Sequence, residues 1–275
     1  ADADVIVAVL GEDEDRTGES CSRTSLELPG RQQQLLEALH ATGRPVVVVL
    51  INGQPLTVNW TDAHVRAILE AWFPCVRGGR SVARALFGAI NPSGRLSVTF
   101  PKSVGQIEYN FPFKKGSHGR QVASGPNGFG STRVLGALYP FGYGLSYTTF
   151  AYSDLRISPH ECGGWTVGCM VTNTGNRVGA EVIQLYVRDR YASVVTYDSV
   201  LRGFEKVWLS PGEACQVTFR LKEEDLQLLD RNMRWTVEPG DFDVWIGASS
   251  VDIRLRGMIR VVCEEDGGNG KKGVR

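Results

Sequence analysis

Two unbroken apolar runs do most to limit what this chain can fold into. They are Val5-Ile6-Val7-Ala8-Val9-Leu10, closed by Gly11, and the stretch from Pro45 to Ile51, closed by Asn52-Gly53. Both are far shorter than the ~20 residues that cross a bilayer, and no other run approaches that length. Short Val/Ile/Leu runs bounded by glycine suit strands buried on both faces of a parallel sheet. Between them, Arg31 to Thr42 carries Leu35, Leu36 and Leu39 on one face, which predicts an amphipathic helix ending near Gly43. Val65 to Phe73 reads as a third strand. Gly79 to Gly88 reads as a helix with Val82, Ala83, Leu86 and Phe87 on its buried side. Strands and helices in this order imply a sheet covered by helices, an α/β layer.

The pattern changes twice further on. From about 101 to 138, Lys, Gly, Ser and Asn crowd together and periodicity is lost, which predicts an irregular connector. Its Lys114-Lys115 pair and glycines do not sit between a strand and a helix, so a phosphate cradle is not expected there. From Phe150 onward the chain alternates apolar and polar residues in short segments. Trp165–Asn173, Ala180–Val187, Gln216–Leu221 and Phe242–Ile246 are separated by turns such as Asn173-Thr174-Gly175 and Pro211-Gly212. Seven or so strands of this kind predict an antiparallel sandwich of immunoglobulin or fibronectin type III type. Leu226, Leu228 and Leu229 read as a short turn-like insert, with Trp165, Trp208, Trp235 and Trp245 packing the sandwich. The expected organisation is therefore an α/β part over 1–138, its connector at about 101–138, a linker at 139–150, an all-β part at 151–263 and a disordered tail at 264–275.

Length fits this division, since 275 residues exceed one typical small domain. Thirty basic residues balance thirty acidic ones, which argues against a nucleic-acid binder or a polybasic membrane-surface protein. Cys21, Cys75, Cys162, Cys169, Cys215 and Cys263 form no CxxC pair. His40, His64, His118 and His160 form no HExxH, so neither a metal site nor a cofactor is expected. The chain also begins almost directly on a core strand, as an excised part of a longer protein would.

Ligands of α/β sheets gather at the carboxyl ends of strands. The loop after the first strand carries Glu12-Asp13-Glu14-Asp15 and then Thr17-Gly18-Glu19-Ser20-Cys21-Ser22-Arg23. Gly18-Glu19-Ser20-Cys21-Ser22 half-matches a nucleophile elbow but lacks the final glycine and a suitable histidine. Glu19 is the other candidate, as a carboxylic acid kept protonated beside a substrate. On composition alone it reads more readily as one more member of a solvated acidic loop.

A series of motifs changes that weighting. Gly18 to Gly30, Leu50-Ile-Asn-Gly-Gln-Pro-Leu56, Ile68-Leu-Glu-Ala-Trp-Phe-Pro74, Leu86-Phe-Gly88 and Asn91-Pro-Ser-Gly-Arg-Leu96 resemble the C-terminal region of family 3 glycoside hydrolases. The likeness is to β-glucosidases of the bacterial periplasmic type. Thr99 to Ile107 and Leu138 to Phe150 continue it. In the second half, Val171-Thr-Asn-Thr-Gly175, Leu201 to Lys206, Leu209 to Glu213 and Glu238-Pro-Gly240 are similar to that family's fibronectin III-like domain. The likeness covers nearly the whole chain, in the same order.

The resemblance implies a partial α/β sandwich with a largely parallel sheet, followed by the fibronectin III-like sandwich. It implies an N-terminal (β/α)8 barrel in the parent that carries the aspartate nucleophile, so this chain holds no nucleophile. It makes Glu19 the candidate general acid/base, a β-glucoside or oligosaccharide the substrate, and the periplasm or exterior the location, with a homo-oligomer possible. Cys75-Val76-Arg77-Gly78-Gly79 departs from the family's usual Gly-Thr-Glu-Gly-Gly, and Cys21 replaces a small residue beside Glu19. Trp60, Trp72 and Phe73 offer aromatic faces to a sugar, although core packing suits Trp72 better. Asn59-Trp60-Thr61 is a glycosylation sequon. The competing reading is a non-catalytic carbohydrate-binding or interaction module, which would present an exposed aromatic platform and be indifferent to Glu19.

Overall fold

The computed structural model describes residues 3–106, 109–115, 134 and 136–262. Its described residues fall into two compact units, one within Ala1–Ile90, Val98–Tyr109 and Gln121–Tyr139, the other within Asn91–Ser97, Asn110–Arg120 and Pro140–Arg275. Most of the glycine-rich part of the connector and the tail at 264–275 lie outside the described residues.

The first unit is built on β1 (Ile6–Gly11), α1 (Gln32–His40), β2 (Val46–Ile51), α2 (Asn59–His64), β3 (Ala67–Glu70) and α3 (Gly78–Leu86). The strands pair in parallel in the order β1-β2-β3, with Ile6 opposite Val46 and Val47 opposite Ala67. Val48 and Leu50 of β2 are fully buried and pack with Ala8, Leu10, Leu36, Leu56 and Val58. β1 departs from the expectation of a strand buried on both faces. It lies at the sheet edge, and Val5, Val7 and Val9 are about half exposed while Ala8 and Leu10 are buried. In α1, Leu36 is fully buried and Leu39 partly so, whereas Leu35 turns to solvent at 52% exposure. The Gln32 side chain ties α1 to the strand end, accepting from the Gly11 N–H at 2.7 Å and donating to the Gly11 carbonyl at 2.8 Å.

β3 ends at Glu70, not at Phe73. The Ala71 N–H makes a last bond to the Leu50 carbonyl, after which the Trp72 N–H turns to the Glu70 carboxylate and Trp72 takes φ +50°. The six-residue α2 has no counterpart in the sequence pattern, being too short to show a 3.6-residue period. It buries Thr61 and stacks Trp60 on His64 at 4.4 Å.

The second unit holds seven long strands: β4 (Phe150–Pro159), β5 (Trp165–Asn173), β6 (Gly179–Asp189), β7 (Val200–Leu209), β8 (Ala214–Leu221), β11 (Gly240–Gly247) and β12 (Ile253–Val261). A short antiparallel pair, β9 (Leu228–Leu229) and β10 (Trp235–Thr236), lies between β8 and β11. The long strands form an antiparallel four-stranded sheet, β12-β11-β6-β7, and a three-stranded one, β4-β5-β8. Inward residues of both, including Val167, Ile183, Leu185, Leu221, Val244 and Ile246, make one core. The turn-like insert is a single 3-10 turn at Glu223–Leu226 running into β9, with Leu226 and Leu228 buried.

Of the four sandwich tryptophans, only Trp165 enters this core. Trp208 and Trp235 are 62% and 69% exposed, and Trp245 lies between the Arg188 and Arg256 guanidinium groups, 5.8 and 5.1 Å from its ring centre. Alternation in the strands decides this: Val244 and Ile246 face inward, so Trp245 faces out.

Two segments outside the strands are also part of this unit. Phe111 stacks on Phe141 at 4.7 Å and sets its edge against Tyr186 at 5.6 Å. Arg95 reaches Glu181 of β6 at 2.8 Å, where the Tyr152 hydroxyl also donates, at 2.9 Å. Both charged side chains are under 10% exposed, so removing one leaves a buried charge uncompensated. Arg95→Met is expected to lower the stability of the second unit by about 3–5 kcal/mol, with Arg95→Met/Glu181→Gln recovering much of the loss. Urea unfolding of the three proteins checks this.

Candidate active site

Because the first-unit sheet is parallel, the carboxyl ends of β1, β2 and β3 share one edge. Each is followed by a buried or half-buried polar side chain, Glu12 after β1, Asn52 after β2 and Glu70 at the end of β3. The Glu12 carboxylate is wholly enclosed; its Oε1 receives Arg23 and the Gln54 Nε2, the latter at 3.0 Å. Its Oε2 and the Asn52 Oδ1 are buried without a hydrogen-bond partner among the described residues. Asn52 Nδ2 donates to the Gln54 carbonyl at 2.8 Å and lies 3.5 Å from Glu70 Oε2.

The Glu12–Arg23 ion pair closes the loop between them. Within it lie a 3-10 turn at Glu14–Arg16 and then a β-turn in which the Cys21 N–H bonds to the Gly18 carbonyl at 3.2 Å. Glu19 occupies the tip of that turn and is exposed. Gly18 takes φ +121°, which glycine adopts without steric cost, and Ser20 takes φ +66°, an uncommon conformation for a residue with a side chain. The loop is anchored on the neighbouring strand ends. A methyl group placed on Gly53 would lie 2.8 Å from both Thr17 Oγ1 and a Phe73 ring carbon, so the chains after β1, β2 and β3 converge there.

The other sequence candidates are dispersed around this point. Phe73, 43% exposed, is the aromatic residue at the convergence. Trp72 leans on Phe100 at 5.8 Å, and Trp60 sits on α2 against His64 and His40. The Cys21 thiol faces the Asp15 carbonyl at 3.6 Å, while Cys75, at φ +58°, is exposed beside the Phe73 carbonyl. Lys114 and Lys115 belong to the second unit, where Lys115 pairs through its backbone with Thr196. No cluster of three or more metal-binding side chains occurs among the described residues.

Glu70 is the functional-type residue that sequence reasoning passed over. Burial pushes its carboxyl up to about 7, against smaller opposing contributions from the Trp72 N–H and Asn52. Nothing in the sequence marks it except its place at the end of an apolar stretch ahead of Trp72. An acid whose folded value is raised holds its proton more tightly in the folded state. Its contribution to stability is therefore greatest below about 4.5 and declines as pH rises through about 7. Glu70→Gln is expected to flatten the pH dependence of stability across that window, with a relative gain on the order of 2–3 kcal/mol at pH 8. Thermal unfolding from pH 4 to 8 checks it; an unchanged pH profile would remove the buried titration.

Comparison with known proteins gives a consistent picture. The model of the glycosyl hydrolase family 3 C-terminal domain matches residues 1–147, and that of the fibronectin type III-like domain matches residues 181–250. A β-xylosidase of Formosa agariphila is 42% identical over 90% of this chain and 34% of its own length. The periplasmic β-glucosidase of Salmonella typhimurium is 44% identical over 92% of this chain and 34% of its own length. The crystal structure of a β-glucosidase from Listeria innocua in complex with glucose superimposes with a TM-score of 0.85 at 35% identity, covering 94% of this chain and 36% of that one. The chain thus spans about a third of the length of these relatives.

Proposed function

The chain belongs to glycosyl hydrolase family 3, and on that footing we propose that it is the C-terminal part of a retaining, exo-acting β-glucosidase in which Glu19 is the general acid/base. The observation that carries this reading is Glu19 itself, exposed at the tip of the turn that follows the carboxyl end of β1 in the parallel sheet. Retaining hydrolysis uses two carboxyl groups about 5–5.5 Å apart. One attacks the anomeric carbon as the leaving oxygen takes a proton from the other. That second group then removes a proton from the water that releases the sugar.

Glu19 takes the second role, and the nucleophile is supplied by an N-terminal barrel of the parent chain. The roughly one-third coverage of the relatives supports that division of labour. On its own, this chain is inactive. Glu70 titrates in a range useful for acid/base work, but its oxygens face the Trp72 N–H and the Asn52 amide, so it serves the sheet edge and not the substrate.

The substrate is a glycoside or oligosaccharide with a terminal β-D-glucosyl or related residue. Relatives named as β-glucosidases and as β-xylosidases support both glucosyl and xylosyl groups as candidates. The name of the Salmonella relative supports a periplasmic or secreted location, and no helix among the described residues is long and apolar enough to cross a membrane. In the full-length parent, Glu19→Gln is expected to slow hydrolysis of an unactivated glucoside by about 10²–10⁴-fold. Added azide should restore turnover of an aryl glucoside with a good leaving group, giving the glycosyl azide. Absence of rescue with a folded variant would refute the assignment, as would turnover by the isolated chain that survives Glu19→Gln.

A further inference from the structure

The sandwich unit has its own cleft, of about 630 Å³, between the Val194–Tyr197 segment ahead of β7 and the Glu224–Leu229 insert. Small-molecule sites occupy about 300–1,000 Å³. The inner wall is core surface: Val187, Leu228 and Phe242 line it and are otherwise buried. The rim is of another kind. Trp235 is fixed in the β9–β10 pair opposite Leu229 yet remains 69% exposed, and Val195, which also lines the cleft, is 72% exposed. Arg202 lines the cleft with its guanidinium partly desolvated, which lowers its pKa, and Asp225 is the charge that opposes this. Thr196 also lines the cleft, and its Oγ1 is buried without a hydrogen-bond partner among the described residues.

We propose that this cleft binds an amphiphilic glycoside, with an apolar aglycone against the inner wall and the sugar at the rim on Trp235. A bare sugar carries hydroxyl groups around its ring edge. Burying them against Val187, Leu228 and Phe242 would strip them of water and leave them unpaired. An alkyl or aryl group instead gains by leaving water at the same wall. At the rim the preference reverses. The indole face covers the apolar face of a pyranose, while Arg202 and Asp225 supply a donor and an acceptor for its hydroxyls. The choice of a glycoside as ligand rests on the family reading; the order of apolar and polar parts rests on the cleft.

Titration calorimetry on the 275-residue chain tests this, with octyl β-D-glucoside below its micelle concentration as probe and methyl β-D-glucoside as the sugar-only comparison. Octyl glucoside is expected to bind saturably and at least about tenfold more tightly than methyl glucoside. Trp235→Ala and Val195→Asp, both at exposed positions that folding tolerates, should each weaken it about fivefold or more, while Glu19→Gln leaves it unchanged. Equal affinity for the two probes, no saturable binding, or indifference to both cleft substitutions would overturn the proposal. Loss of binding on Glu19→Gln alone would also overturn it, while leaving the acid/base reading intact.

Discussion

Because β1, β2 and β3 run parallel, their carboxyl ends share one edge, and the polar groups that follow them lie buried or half-buried there. Glu12, Asn52 and Glu70 are the consequence. Burying a carboxylate such as that of Glu12 is tolerable only with a cation against it, and Arg23 provides one. That pairing fixes both ends of a loop whose interior is free to project, and Glu19 is what it projects. Stability and presentation are thus coupled: the ion pair that offsets a buried charge also sets the path of the exposed turn.

Glu70 shows the same edge working differently. Its burial is resolved by holding a proton to about pH 7, against the smaller opposing pull of the Trp72 N–H and the Asn52 amide. Two carboxyl groups at the ends of the outer strands β1 and β3 therefore reach opposite solutions, one paired and one raised in pKa. The difference lies in the Arg23 guanidinium that reaches Glu12, whereas burial is the dominant influence on Glu70.

Much of this architecture was legible in the residue pattern. The parallel strands, the extents of the two longer helices of the first unit and the alternating strands of the sandwich follow from apolar period, glycine and turn residues, because those signals are local; the buried side expected for α3 does not, since Ala83 and Phe87 are exposed and Ala85 is buried. What escaped depends on contacts distant in sequence. Val7 and Val9 alternate with the buried Ala8 and Leu10 and point to the face of β1 that is left exposed, and the early end of β3 follows from the Glu70 side chain capturing the Trp72 N–H. Part of the stretch expected to be an irregular connector packs Phe111 between Phe141 and Tyr186, which no periodicity could disclose. Glu19 stood out only through a motif shared with a family; charge and spacing did not separate it from Glu12, Asp13, Glu14 and Asp15. Glu70 was invisible because its property is its environment. The exposed Trp208 and Trp235 have the same lesson, since composition alone would have assigned them to a core.

The central claim is that the Glu19 carboxyl delivers the proton to the departing oxygen. The most direct test is the dependence of kcat/KM on leaving-group pKa across a series of aryl β-glucosides, for the full-length parent and its Glu19→Gln variant. Proton donation spares the leaving group from departing as an anion, so the wild-type plot should be shallow and the variant's steep. The same slope in both proteins would contradict the assignment.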